Sequence, residues 1–414
     1  MVRWNERYHD KFKRHSLSGQ LMDIEHLDAA WRKVRANRGS GGIDGETIES
    51  FEARKDARLA EIRTQLKERR YKPQPVRRVF IPKPDGRQRP LGIPTIRDRV
   101  VQQALKEILE PIFEEIFLEG SHGYRPGKDA HQAMRKVQGF IERGCHWIVD
   151  ADIQGFFDHV DHRILMDLVR EKIADGRVLD LLETFLKCGV MREAEFEETT
   201  EGTPQGGVIS PLLANIYLNH FDRRMGEEGY LLLRYADDFL IFCKSEMEAH
   251  KARSMAERIL KKELKLNLSR EKTRVFNARM TKGVFLGFAF SAKYLAPSEK
   301  SIERYKDAIR HKTRRQQPKN VSMVIASINP VIRGWGRYFG YRTIMTPLKE
   351  LDSWTRGRVR CFKAKRRNNL VLMRPLPEEA DLIPLVSLRT DSPATRNGDF
   401  QTRAVYSKWV RTVR

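Results

Sequence analysis

The sequence predicts an α+β chain in which a small antiparallel sheet is backed by helices, and three observations carry that prediction. The first is Tyr235-Ala236-Asp237-Asp238, flanked by Tyr230-Leu231-Leu232-Leu233-Arg234 and Phe239-Leu240-Ile241-Phe242-Cys243. Both flanks are short, apolar and aromatic-rich, as two strands joined at an Ala-Asp-Asp turn should be. The second is an upstream apolar strand, His146 to Ile153, which carries Asp152 near its end and is followed by Phe156-Phe157. The third is the order strand, helix, helix, hairpin, helix, strand, which packs helices on one antiparallel sheet. A lone Ala-Asp-Asp turn is ordinary turn chemistry. A third carboxylate on another strand changes that reading, because crowded carboxylates repel unless a cation lies between them. Three such oxygen donors suit a hard divalent cation of the kind that serves phosphoryl transfer in pairs.

The 414 residues are enough for two or three domains with a sizeable core. With 40% hydrophobic and 32% charged residues the chain is globular. The net charge of +23 points to a polyanionic partner, most simply nucleic acid. That charge is uneven: residues 301–414 hold 25 Lys and Arg against 9 Asp and Glu. Cys145, Cys188, Cys243 and Cys361 are scattered without a C-x-x-C pair, which argues for a reducing compartment and against a disulfide framework or zinc site. The polar first twenty residues show no signal peptide, and no run of eighteen apolar residues offers a membrane span. The expected setting is bacterial cytoplasm.

Taken in order, residues 1–70 read as mostly helical. Leu27, Ala30, Trp31 and Val34 recur at helical spacing before Gly39-Ser40-Gly41-Gly42-Ile43-Asp44-Gly45, which lacks a phosphate-loop pattern and reads as a flexible turn. A second helix is expected from Ile48 to Arg69. Val76 to Lys83 and Arg87 to Ile93 read as a β-hairpin about Pro84-Asp85-Gly86, loaded with Arg77, Arg78, Lys83, Arg87 and Arg89. Such a hairpin is either an edge defended by charge or a cationic flap over a nucleoside triphosphate. A long helix from Arg97 to Phe117, with Pro111 as a kink, and another over 129–142 lead to the Asp152 strand. Helices carrying Ile164 to Val169, 178–188 and 211–224 follow, the last opened by the loop Glu201-Gly202-Thr203-Pro204-Gln205-Gly206-Gly207. Beyond the hairpin come a helix bearing Met255, Ile259 and Leu264 and a strand, Val284 to Phe288. From Ser298 the chain is basic and helical. Asn329 to Phe339 mixes Arg, Trp, Tyr and Phe in a way that suits phosphate contact and base stacking. Leu376 to Ser392 has no periodicity to assign.

Six motifs in this order resemble a bacterial group II intron reverse transcriptase, or maturase. They are Ile81-Pro82-Lys83-Pro84-Asp85-Gly86, Gly123-Tyr124-Arg125-Pro126-Gly127, Asp152-Ile153-Gln154-Gly155-Phe156-Phe157-Asp158, Gly202-Thr203-Pro204-Gln205-Gly206-Gly207, Tyr235-Ala236-Asp237-Asp238 and Phe285-Leu286-Gly287-Phe288. The resemblance implies a right-hand polymerase fold: an N-terminal extension over 1–70, fingers over 71–145, palm over 146–297 and thumb with maturase domain over 298–367. A tail of unassigned role covers 368–414. It implies Asp152, Asp237 and Asp238 as catalytic metal ligands, with the Ile153 carbonyl helping to hold two Mg²⁺, for which Mn²⁺ may be exchanged. Lys83 and Arg89 match residues that grip the triphosphate, Gln205 one that meets the incoming nucleotide, and Lys272 one that protonates pyrophosphate. Phe157 matches the steric gate against ribonucleotides, leaving Phe156 to the core. Asp150 and Asp158 are expected near the site without being ligands. Arg125, Arg333, Trp335, Arg337 and Tyr338 are expected to contact nucleic acid. The implied partners are an RNA template, a DNA or RNA primer, dNTPs and group II intron RNA, and the implied roles include splicing and retrohoming. No endonuclease pattern follows residue 370, which fits the compact type. Two other readings stay open: a domesticated relative in DNA repair or antiphage defence, and an RNA-binding maturase without polymerase activity. The intact carboxylates with Lys83, Arg89 and Gln205 argue against the last.

Overall fold

The computed structural model describes residues 13–82, 86, 88–192, 195–197, 201–203, 206–314, 316–364 and 376–390, without the side chains of 89, 192 and 195–197. The N-terminal helices are α1 (Ser18–Leu21), α2 (Ile24–Ala36), α3 (Ile48–Ala53) and α4 (Lys55–Lys67). Next come β1 (Val76–Pro82), β2 (Gln88–Ile93), α5 (Ile96–Glu114), α6 (Ala130–Glu142), β3 (Trp147–Asp152), α7 (His162–Arg170), α8 (Gly176–Leu186), β4 (Val190–Arg192), β5 (Glu195–Glu197) and α9 (Ser210–Glu227). The remainder is β6 (Leu231–Tyr235), β7 (Asp238–Cys243), α10 (Glu246–Glu263), β8 (Arg274–Asn277), β9 (Gly283–Phe285), β10 (Phe288–Ser291), β11 (Tyr294–Pro297), α11 (Glu299–Lys312), α12 (Val321–Phe339) and α13 (Met345–Ala364). These fall into two compact units, residues 1–128 with 149–275, and residues 129–148 with 276–414.

In the first unit the central sheet runs β6-β7-β3-β8, and β6 and β7 are an antiparallel hairpin in register from Leu231↔Phe242 to Tyr235↔Asp238. Leu233, Phe239, Leu240 and Ile241 are fully buried, and α9 and α10 pack on the hairpin, which is why its strands read as nearly continuous apolar runs. The second sheet runs β2-β1-β4-β5. Its hairpin matches the sequence expectation, but β4 and β5, three residues each, were too short to carry a period. The helix expected over 48–69 is two helices, separated at Arg54, whose φ of −126° leaves the helical region. The flexible turn expected at 39–45 is instead pinned: Arg77 Nη2 donates to the Gly41 carbonyl at 2.9 Å and the Arg99 guanidinium to that of Ser40. Beside it, buried Asp98 accepts from Tyr71 Oη and Thr95 Oγ1, both at 2.7 Å, and Thr95 caps α5.

The second unit has a three-stranded sheet, β11-β10-β9. The single strand expected over Val284–Phe288 is broken by a tight turn, because Leu286 and Gly287 take positive φ, 51° and 80°. Helices α11 to α13 bury Tyr305, Ile309, Ile328, Ile332, Trp335, Leu348 and Val359. Residues 376–390, unassigned from sequence, form a strap of two 3₁₀ turns over α12 and α13. Asn329 donates to the Asp381 carbonyl at 2.8 Å and accepts from Ile383 N at 3.1 Å. Asp352 accepts from Leu385 N and Val386 N at 2.6 and 3.1 Å. Leu388 lies so close to α12 that a Cβ on Gly336 would meet its Cδ1 at 2.5 Å. Among the described residues no helix is long and apolar enough to cross a membrane.

Candidate active site

The tip of the β6–β7 hairpin is a two-residue loop, Ala236-Asp237. Ala236 takes φ 60°, a left-handed conformation that a residue with a Cβ adopts at a cost. Arg234, with no exposed surface, holds it there. Its Nε donates to Asp222 Oδ1 at 2.8 Å and its Nη2 to Asp222 Oδ2 at 2.5 Å. Its Nη1 donates to Asn215 Oδ1 at 3.0 Å and to the Ala236 carbonyl at 2.9 Å. The segment 120–123 runs against β6: Arg234 N donates to the Gly120 carbonyl and His122 N to that of Arg234, both at 2.9 Å. Asn215 Nδ2 ties the Gly123 carbonyl at 2.8 Å, and a Cβ on Gly123 would sit 2.3 Å from Ala236 N. Only glycine permits that approach. Sequence reasoning missed this frame; its one signal was an arginine inside an apolar strand, next to the Asp pair.

Asp238 opens β7 and Asp152 ends the adjacent β3, so the two carboxyls come within hydrogen-bonding reach. The surrounding protein, then Asp237 and Asp152, hold the Asp238 carboxyl well above the ordinary carboxylate range, with Lys272 opposing them. Water reaching the exposed Asp238 side chain screens part of that repulsion. Lys272 Nζ donates to Asp152 Oδ2 at 2.6 Å. Asp150 is turned to another use, an ion pair with Arg274 at 2.9 Å, and Asp158 is exposed. Ile153 pairs with Leu268 between the bonds Gln154 N to Asn267 O and Ser269 N to Asp152 O, both 2.9 Å. In that register the Ile153 carbonyl points away from this neighbour, to the side where β7 lies. Among the described residues no three His, Cys, Asp or Glu side chains are grouped so as to hold a metal ion. The ammonium of Lys272 occupies part of the space a cation would neutralise. The groups that the sequence names as ligands, three carboxylates and a backbone carbonyl, offer only hard oxygens, the donor chemistry that a divalent ion of the Mg²⁺ class takes.

Phe156 and Phe157 lie in a 3₁₀ turn just beyond β3. They meet edge to face at 5.1 Å; Phe156 is buried against Tyr217 and Phe157 is half-exposed. The loop after residue 200 is fastened to this turn by Thr203 N donating to the Phe157 carbonyl at 2.8 Å, and to α5 by Val208 N donating to Gln102 Oε1 at 2.8 Å. Gln205 and Lys83 lie outside the described residues, as does the Arg89 side chain; the Arg89 backbone pairs with Ile81 on β1.

Three expected nucleic-acid contacts are corrected. Arg125 is 3% exposed: its guanidinium grips Glu114 at 2.9 to 3.1 Å and the carbonyls of Leu118 and Ser121 at 2.7 and 2.8 Å. Trp335 is buried between Tyr305 and Phe339, with Nε1 donating to the Ser301 carbonyl at 3.3 Å. Tyr338 is buried too, its hydroxyl donating to the Leu286 carbonyl at 3.0 Å. Composition suggested an RNA-facing surface; an acid eleven residues away and a helical core decided otherwise. Arg333 and Arg337 are exposed one turn apart on α12.

Residues 81–290 match the family described as reverse transcriptase (RNA-dependent DNA polymerase), and residues 302–374 the group II intron maturase-specific domain. Protein YkfC of Escherichia coli is 36% identical over 292 residues, 61% of this chain and 76% of that protein. The group II intron-encoded protein LtrA of Lactococcus lactis is 41% identical over 197 residues, 47% of this chain but 32% of that protein. Among solved structures, telomerase from Candida albicans aligns with 87% of this chain and 69% of its own, with a TM-score of 0.46 and 10% identity.

Proposed function

We propose, from the premise that the chain belongs to the reverse transcriptase family, that it is an RNA-directed DNA polymerase which also binds group II intron RNA. The observation that carries this reading is the meeting of Asp238, which opens β7, with Asp152, which ends the adjacent β3, beside Asp237 in a hairpin loop whose Ala236 carbonyl a buried arginine fixes. A binding protein gains nothing from such an arrangement. Two Mg²⁺ bound there, or Mn²⁺ in their place, would activate the primer hydroxyl and neutralise the triphosphate. The chain supplies the rest. Asp152, Asp237, Asp238 and the Ile153 carbonyl hold the ions. Lys272, which bonds Asp152 here, would be released to meet the leaving pyrophosphate. Lys83 and Arg89 would bind the triphosphate, and Gln205 would meet the incoming nucleotide. Arg333 and Arg337 would contact backbone phosphates of the template–primer or intron RNA. The scattered cysteines suit a bacterial cytoplasm.

Extension of oligo(dT) on poly(rA) tests the assignment: activity should require added Mg²⁺ or Mn²⁺ and stop with chelator. Extension that persists in excess chelator would overturn it. Half-exposed Phe157 is assigned to sugar selection, since a packed ring cannot yield cheaply to a 2′-hydroxyl. Phe157→Ala should raise ribonucleotide incorporation relative to deoxyribonucleotide, whereas Phe156→Ala should lower stability by about 3–5 kcal/mol without relaxing selection. The opposite pattern in single-nucleotide kinetics would reverse the two roles.

A further inference from the structure

We propose that Tyr124 seats the terminal nucleotide of the primer strand beside the carboxylates, an inference that rests on the polymerase reading above. Tyr124 follows Gly123, whose backbone touches Ala236 of the hairpin tip, so its Cα lies about 3.8 Å from the point of contact. It takes φ 61°, a conformation costly for a bulky residue, and its side chain is 47% exposed. Both neighbours are fixed independently of it. The Gly123 carbonyl is tied by Asn215, itself bonded to Arg234. Arg125 is clamped by Glu114 and two carbonyls. The result is a rigid backbone frame against the hairpin tip that carries an exposed aromatic residue, at a backbone cost that burial does not explain. Strain of this kind persists where surrounding structure enforces it and function uses it.

The geometry points to the primer rather than to another strand because the frame is joined to the hairpin that carries Asp237 and Asp238. The attacking hydroxyl must reach those carboxylates, and an exposed ring on the segment next to the hairpin tip would offer a face against which the last sugar or base can rest. Stacking of that kind tolerates any base, as a template-directed enzyme requires.

Single-turnover addition of one dNTP to a primer annealed on RNA tests this with Tyr124→Phe, Tyr124→Ala and Tyr124→Gly. The Phe variant should match the wild type. The Ala and Gly variants should lose about tenfold in maximal rate, with the half-saturating dNTP concentration unchanged and the primer–template leaving faster. Glycine relieves the positive φ, so the melting temperature of that variant should hold or rise. Wild-type rates in the Ala and Gly variants would overturn the proposal, as would a fall in melting temperature in both. A change confined to dNTP affinity would place the ring against the incoming nucleotide and overturn it equally. If the wild-type protein extends no primer, the polymerase reading fails first, and the two failures are thereby distinct.

Discussion

Asp237→Asn and Asp152→Asn are each expected to reduce primer extension on the order of 10³-fold or more, while the protein folds and still binds RNA. Asparagine keeps the shape and one oxygen but removes the charge that holds a divalent ion, and several kcal/mol of charge stabilisation correspond to that factor. On the reading proposed above, RNA binding would draw on the basic surface elsewhere, where Arg333 and Arg337 are exposed. Asp238→Asn should show a second effect in chelator at neutral pH. Because the surrounding protein, Asp237 and Asp152 all disfavour its charge, the neutral substitute relieves a repulsion that the metal-free wild type must bear, less what water at the exposed side chain screens. Its melting temperature should therefore exceed the wild type's in chelator, and Mg²⁺ should raise it less. Melting curves with and without metal check this; a less stable Asp238→Asn variant would show that the carboxylates are not in conflict.

Arg234→Ala is expected to cost about 3–5 kcal/mol, because it leaves Asp222 charged and unpaired in the interior. It also strips donors from Asn215 and from the Ala236 carbonyl, so the strained tip loses what holds it. Arg234→Lys separates the two consequences. A lysine keeps the charge opposite Asp222 but cannot fork to Asp222, Asn215 and Ala236 at once. It should fold, with a smaller shift in the urea midpoint, yet extend primers poorly. If the Lys variant extends at the wild-type rate, the network is structural support alone and does not set the tip.

Much of the fold was legible because the relevant patterns were local. The hairpin at Ala236-Asp237 and the strand ending in Asp152 announced themselves by apolar runs around acids, and the β1–β2 hairpin by its turn residues. What failed was decided at a distance. Arg125 looks like an RNA contact until Glu114 is brought beside it, and Trp335 and Tyr338 look like stacking residues until α11 and the sheet of the second unit cover them. Leu286-Gly287 carried a strand-like sequence through a turn that only its φ values disclose. For the site, Asp152, Asp237 and Asp238 were expectations of the sequence; the buried triad of Arg234, Asp222 and Asn215 that fixes the hairpin tip beside Asp237 could not be, since its members are spread over twenty residues and two elements.

The strap over α12 and α13 also changes how the protein's charge should be counted. Arg356, Arg360 and Lys363 belong to the stretch that supplies most of the +23 surplus. Yet Glu379 takes Arg360 through both oxygens at 2.7 and 2.9 Å and lies 3.7 Å from Arg356, while Glu378 takes Lys363 at 2.9 Å. A cation already matched inside the molecule displaces no counterion from RNA unless it first gives up its carboxylate. The steepness with which affinity declines as salt is raised therefore reports the exposed, unmatched residues of this unit, and it is gentler than the basic composition of the C-terminal quarter implies.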